Sequence, residues 1–253
     1  MVALTARVSA TMVAVRHPEG AAHGFLVIRD NEGKILAAGD LIQVSHGTVV
    51  TARLVFHFRD GSIDDERSVF TDEKAFRLIS DHHVQKGPSY PHPTDIAIDA
   101  RSGMVTVRSV DKDGKPKIST EHMDLPPDVA NGLTFVLVKN IPPNSPELKL
   151  PAVVATPKPR LIHIAIASHG DEMCYIGGVQ RKVTHYVGKL ELGGVTGVVA
   201  PIIGKQPHDL NIWVLGGIVP AILKVQGQLF EDGPIWNIEV ASPTWPHAAE
   251  KTR

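Results

Sequence analysis

The stretch HMDLPPDVANGLTFVLVKNI, residues 122–141, decides how the rest of the chain is read. It is the only convincing long helical pattern in a sequence of strand-like segments. Pro126 and Pro127 suit an entry turn, where a missing N–H costs nothing. Asp128 places a negative charge in the first turn and Lys139 a positive one in the last, both favoured by the helix dipole. Val129, Leu133, Val136, Leu137 and Asn140 fall on one stripe. Pro142, Pro143 and Pro146 then stop it. The pattern predicts a helix over about 127–140. Its other faces, with Ala130, Gly132, Thr134, Phe135 and Val138, carry little charge, so it is expected against or inside a sheet.

Outward from that stretch, periodicity changes from helical to two-residue alternation. In Thr48–Arg59, Val50, Ala52, Leu54, Phe56 and Phe58 take one face and Thr51, Arg53, His57 and Arg59 the other. That is a strand with one face in the core and one in water. Asp60-Gly61 turns the chain into Ser62–Phe70, whose Asp64, Asp65 and Glu66 read as a solvated face able to pair with Arg53, His57 or Arg59. Val8–Val15, His23–Arg29, Ile35–Val44 with a bulge at Gly39-Asp40, and Ala75–Gln85 also read as strands. So do Thr94–Asp99, Met104–Val110, Lys117–His122 and Leu161–Ala167, the last closed by a turn at 169–172. Arg181–Leu192, Leu210–Leu215, Ala221–Leu229 and Ile235–Ala241 complete the set.

A dozen or more short strands with turn signals between them argue for an antiparallel barrel or wrapped sheet. No βαβ alternation or fixed repeat is present. The expected fold is all-β: a single domain over 1–253, built as a large open or half-closed antiparallel barrel with a docked helix. A candidate seam lies at 142–159, which is rich in proline.

Composition narrows the function classes. The chain has 253 residues, 43% hydrophobic and 21% charged, with a net charge of -1. Without a basic excess, and with Arg181, Lys182, His185 and Lys189 lacking interleaved aromatics, nucleic acid is not an expected partner. No apolar run reaches 18 residues, so no transmembrane helix is expected. Residues 1–20 are a poor signal peptide, with Arg7 interrupting the apolar stretch. Cys174 is the one cysteine and reads as a small hydrophobe.

Three quoted segments carry a resemblance: EHMDLPPDVANGLTFVLVKN (121–140), THYVGKLELGG (184–194) and IWVLGGIVPAILKVQG (212–227). Together with the strand layout, and with Trp213 spaced from Pro220, they are similar to an uncharacterised bacterial group, DUF3108. The resemblance implies a half-closed antiparallel barrel in the manner of lipoprotein-carrier and lipocalin-like folds. It also implies a periplasmic or exported setting. It supplies no catalytic residues.

Thirteen histidines invite metal chemistry. His82 and His83 point to opposite faces of one strand, so only one can join a given site. His82, His92 and Asp95 are the candidate metal set, without spacing that enforces it. Ser168-His169-Gly170-Asp171 is contiguous, whereas working triads assemble from separated elements. The loop 201–209 is a candidate binding rim.

The leading expectation is a non-catalytic binding protein for a hydrophobic small molecule or lipid, with no cofactor. His122, Asp124, Leu133, Leu137, Lys205 and Trp213 are its candidate ligand-binding residues. A hydrolase or metal-dependent enzyme using the His/Asp clusters, and a cell-envelope structural protein, stay open beside it. Oligomeric state is not readable.

Overall fold

The structure is a computed structural model that describes residues 12–110, 115–155, 158–176, 179–191 and 207–241. Fourteen strands and one short helix alternate along it. The first eight strands are β1 (Ala22–Arg29), β2 (Ile35–His46), β3 (Val49–Phe58), β4 (Ile63–Asp72), β5 (Phe76–Lys86), β6 (Thr94–Asp99), β7 (Met104–Val110) and β8 (Pro116–His122). The helix α1 (Thr134–Asn140) follows. Then come β9 (Leu148–Val154), β10 (Arg160–Ile176), β11 (Val179–Glu191), β12 (Leu210–Leu215), β13 (Ala221–Gln228) and β14 (Ile235–Val240).

All fourteen strands join one antiparallel sheet, in the order β8 through β1, then β14 through β9. The first and last strands among the described residues are therefore neighbours, with Ile28 opposite Ile238. The sheet's two rims are instead β8 and β9, from the middle of the chain. The helix-bearing segment connects rim to rim. This is the expected all-β architecture, an open antiparallel sheet with a docked helix.

The sheet curls strongly. Gln85 on β5 donates to the carbonyl of Leu229 at the end of β13 (3.0 Å), although five strands intervene in the sheet order. Tyr90, just past β5, meets Trp236 of β14 edge-on at 6.2 Å. The alternation read in β3 holds: Val50, Phe56 and Phe58 are buried on the concave side. Leu133, Val136, Leu137 and Val138 of the helical segment join the same continuous core as Ile28, Ile212 and Ile238. Burial of this apolar surface is the main term holding the curled sheet together.

The helix is shorter than the expected 127–140. It begins after Leu133, which makes no side-chain cap. Its would-be first turns are spent elsewhere. The Ala130 N–H donates to Pro151 O (2.8 Å) on β9. The Asn131 amide accepts from Val153 N–H (2.7 Å) and donates to Val153 O (2.9 Å). Gly132 sits at φ +65°, which no helix continues through. Rim satisfaction thus overrides helical propensity over 128–132. The 142–159 stretch, expected as a seam, carries β9 and forms one rim of the opening.

Three further expectations are corrected. Gly39 is no bulge: β2 runs straight through it, and a β-carbon there would stand 2.4 Å from the Phe56 ring. Glycine is needed for that close approach. The turn at 169–172 is a β-bulge at Ser168/Gly170 inside a seventeen-residue β10. Of the expected Val8–Val15 strand, residues 8–11 lie outside the described residues, and 12–15 contribute one isolated bridge, Ala14 to Ala75.

The segment after that bridge is tied beneath the helix end. Asn140, 1% exposed, accepts from the N–H groups of Arg16 and His17 and donates to Val136 O. Lys139 pairs with Glu19 at 2.7 Å, and Glu19 also accepts from Gln43.

Candidate functional site

Two features of β4 and β5 distinguish this wall of the curl. The first is an inward polar row. Ladder pairing sets Asp64 opposite Gln85, Glu66 opposite His83 and Ser68 opposite Asp81, all on the face shared by Phe56 and Phe70. His83 Nε2 pairs with Asp64 Oδ1 at 2.8 Å. The other Asp64 oxygen accepts from Gln85 (2.9 Å) and from the hydroxyl of Tyr90 (3.0 Å). Asp65 between them points outward and takes two bonds from Arg53, at 2.7 and 2.8 Å. The solvated-face reading therefore holds for Asp65 and fails for Asp64 and Glu66, which the curl carries inward.

Enclosure shifts these groups. Burial raises the Glu66 carboxyl above its ordinary range; nearby His83 opposes the shift and Asp64 adds to it. Burial, reinforced by Glu66, pushes Asp81 well above the usual carboxylate range. For His83, burial alone would favour the neutral ring. The bond to Asp64 and the fields of Glu66, Asp64 and Asp81 outweigh it and raise the pKa to about 9. Burial also drives the Tyr90 hydroxyl up, so it stays a donor to Asp64. One oxygen of Asp81 is buried without a partner. It faces Gly132 of the helix-entry loop, whose β-carbon would stand 2.6 Å away.

The second feature is a cleft of about 370 Å³ where β4, β5 and the β6–β7 turn meet the segment leading to the helix. Leu78, Leu125, Pro126, Pro127 and Val129 give it an apolar wall. Arg77 and Arg101 stand at its border, both exposed. Neither guanidinium has a hydrogen bond or ion pair among the described residues, though the charge of Arg101 is felt at Asp99. A cleft of about 480 Å³ lies by β11–β14, lined chiefly by polar groups including Lys189, His208, Asp209 and Gln226. It takes in residues 207–209 of the expected rim loop.

The expected site residues fall in several places. Leu133 and Leu137 are packed in the core, 1% and 4% exposed. His122 and Asp124 are exposed at the end of β8 and just beyond it, away from the helix cap at Leu133. Trp213 lies on the opposite face of the sheet from buried Ile212 and Val214. There it stacks on His185 (4.7 Å) and donates to Glu172 (2.8 Å). Lys205 lies outside the described residues. The five described ones do not form one site. In the sequence, Arg77, Arg101 and the Leu125–Val129 wall read as ordinary strand, turn and helix-entry residues. The proline pair at 126–127 was the visible signal, since it fixes a rigid non-helical wall.

Of the metal candidates, His82 and Asp95 do meet, at 3.0 Å, and Asp95 also accepts from Arg108. His92 is exposed in the loop before β6. Among the described residues no three His, Cys, Asp or Glu side chains are grouped to hold a metal ion. In the 168–171 stretch, Ser168 Oγ accepts from Gly170 N–H, and Asp171 is engaged by Lys182 and Thr184. That is the bonding of a bulge, without a nucleophile–base pair. Among the described residues no helix is long and apolar enough to cross a membrane.

No family model matches the sequence, and no curated protein matches it. Among solved structures, a β-barrel-like protein of domain of unknown function DUF1849 from Brucella abortus is similar, with a TM-score of 0.48 and 10% sequence identity. The alignment covers 90% of this chain and 98% of that one. The group named there is DUF1849, not the DUF3108 group of the sequence resemblance.

Proposed function

We propose that the protein binds an amphiphilic small molecule with an anionic head, such as a fatty acid or a lipid fragment, in the cleft at the helix entry. The observation that carries this reading is two guanidiniums, Arg77 and Arg101, without a hydrogen bond or ion pair among the described residues, at the border of an apolar wall. Guanidinium groups match carboxylate and phosphate oxygens, often with two parallel hydrogen bonds. The wall of Leu78, Leu125, Pro126, Pro127 and Val129 would cover an aliphatic tail. The volume falls within the roughly 300–1,000 Å³ of small-molecule sites. The core around Leu133 and Leu137 is filled, which favours this rim cleft over the barrel centre.

The role is binding rather than catalysis. The cleft lining holds no acid–base pair, and the His83–Asp64 pair is spent on a hydrogen-bond network with Gln85 and Tyr90. Calorimetric titration with matched acid and alcohol ligands tests the proposal, with an arginine double variant as control.

A further inference from the structure

The two rims of the sheet are treated differently. β9 is covered: Pro151 O is bonded by Ala130 N–H, and both main-chain groups of Val153 are bonded by the Asn131 amide. β8 is not. Among the described residues, no main-chain group of 116–122 bonds to anything except its neighbour β7. In an antiparallel ladder, alternate residues point their N–H and C=O away from the one partner they have. β8 therefore presents a row of open donors and acceptors. It is exposed along most of its length, with Ile118 at 66% and neighbouring Val110 also at 66%. Such an edge is a template for another strand.

We propose that β8 pairs antiparallel with β8 of a second copy of this chain, continuing the two sheets across a twofold axis. The occupant follows from self-complementarity. In a continuous sheet, residues directly opposite share a face, so symmetric registers pair residues of equal parity. The register centred on Ser119 puts Lys117 opposite Glu121 of the partner subunit, and does so twice. Neither side chain has another partner among the described residues. The same register sets Ile118 opposite Thr120 and leaves the two Ile118 side chains diagonal neighbours, within reach of one another. Moved one step, the register centred on Thr120 sets Glu121 opposite Ser119 of the partner subunit and loses both ion pairs, while the register centred on Ile118 exchanges Lys117 for Lys115, which precedes the strand.

The test is sedimentation velocity on the intact protein from dilute to concentrated solution, with hydrogen exchange read on β8. The wild type is expected to dimerise with concentration, and the β8 amides to slow as it does. Lys117→Glu sets like charges opposite each other twice and should weaken the dimer at least roughly tenfold. The double variant Lys117→Glu/Glu121→Lys should restore it. A wild type that stays monomeric throughout, a single variant that dimerises undiminished, or a swap that fails to rescue overturns the proposal. So does finding the β8 edge protected by a different protein. None of these outcomes bears on ligand binding at the Arg77/Arg101 cleft, so the two proposals fail separately.

Discussion

Asn131 meets Val153 as a neighbouring strand would. Its amide oxygen takes the Val153 N–H at 2.7 Å and its amide nitrogen gives to the Val153 carbonyl at 2.9 Å. One side chain thus completes a rim that the sheet leaves open, and it does so by taking residues out of the helix that the sequence would otherwise have formed. Asn131→Ala should cost about 1–3 kcal/mol, because two buried main-chain groups lose their partner together. Asn131→Asp keeps the acceptor for the N–H but turns a carboxylate toward the carbonyl, and should be no better than alanine. Denaturant unfolding measures both, and exchange at β9 amides should quicken in each.

Gly132 and Asp81 form the contact behind that rim. A β-carbon at Gly132 would stand 2.6 Å from Asp81 Oδ1 and 2.7 Å from Ser68 Cβ, and the backbone is at φ +65°. Gly132→Ala should therefore destabilise by about 1–3 kcal/mol, through the left-handed conformation and overpacking together. Asp81→Asn should raise stability at neutral pH, since it removes a buried group that resists ionisation and has an unpartnered oxygen. The midpoint of urea unfolding reads both signs.

The pH dependence has a definite direction. His83 is raised to about 9, above its ordinary 6.5. Its contribution is complete below the unfolded value and is lost as pH rises through about 9. Glu66 and Asp81 are also raised, so the unfolded chain releases their protons first and stability again falls with rising pH. Asp65, Asp60 and Asp99 are lowered, chiefly by hydrogen bonds from Arg53, Ser89 and Ser102 respectively. They oppose this only below the ordinary carboxylate range. Thermal unfolding should show stability declining from mildly acidic pH to pH 9, and His83→Gln should flatten the upper part. A stability that rises over that span would contradict the assignment.

Asn140 joins the helix end to the segment before β1. Asn140→Ala strips the acceptor from the N–H groups of Arg16 and His17. The loss should be about 1–3 kcal/mol. Exchange should rise first in residues 12–20, because Asn140 and the Lys139–Glu19 pair tie that segment under the helix.

Much of this was legible in the sequence, and what was not has physical causes. The β3 alternation from Val50 to Phe58 reads directly, because one face is apolar and the other polar. The opposite faces of His82 and His83 follow from the strand period alone. β4 defeats the same method: Asp64, Glu66 and Ser68 on one side and Asp65 and Arg67 on the other are all polar, so hydropathy cannot say which row turns inward. Only the curl that brings Gln85 to Leu229 decides it. The helix start was misplaced because local propensity contains no term for an unpaired β-strand twenty residues downstream. The Arg77/Arg101 cleft joins residues from β4, β5, the β6–β7 turn and the segment before the helix, and no spacing in the chain announces it.

The central claim is that Arg77 and Arg101 hold an anionic head while the Leu125–Val129 wall covers a tail. Calorimetric titration with dodecanoate and with dodecanol, on the wild type and on Arg77→Gln/Arg101→Gln, tests it most directly. The account predicts that the acid binds roughly ten- to a hundredfold tighter than the alcohol, as charge-assisted hydrogen bonds would give. It predicts that the double variant loses this difference while retaining weak binding of the alcohol. Equal affinity for the two ligands, no binding of either, or an acid preference untouched by the arginine substitutions would contradict it.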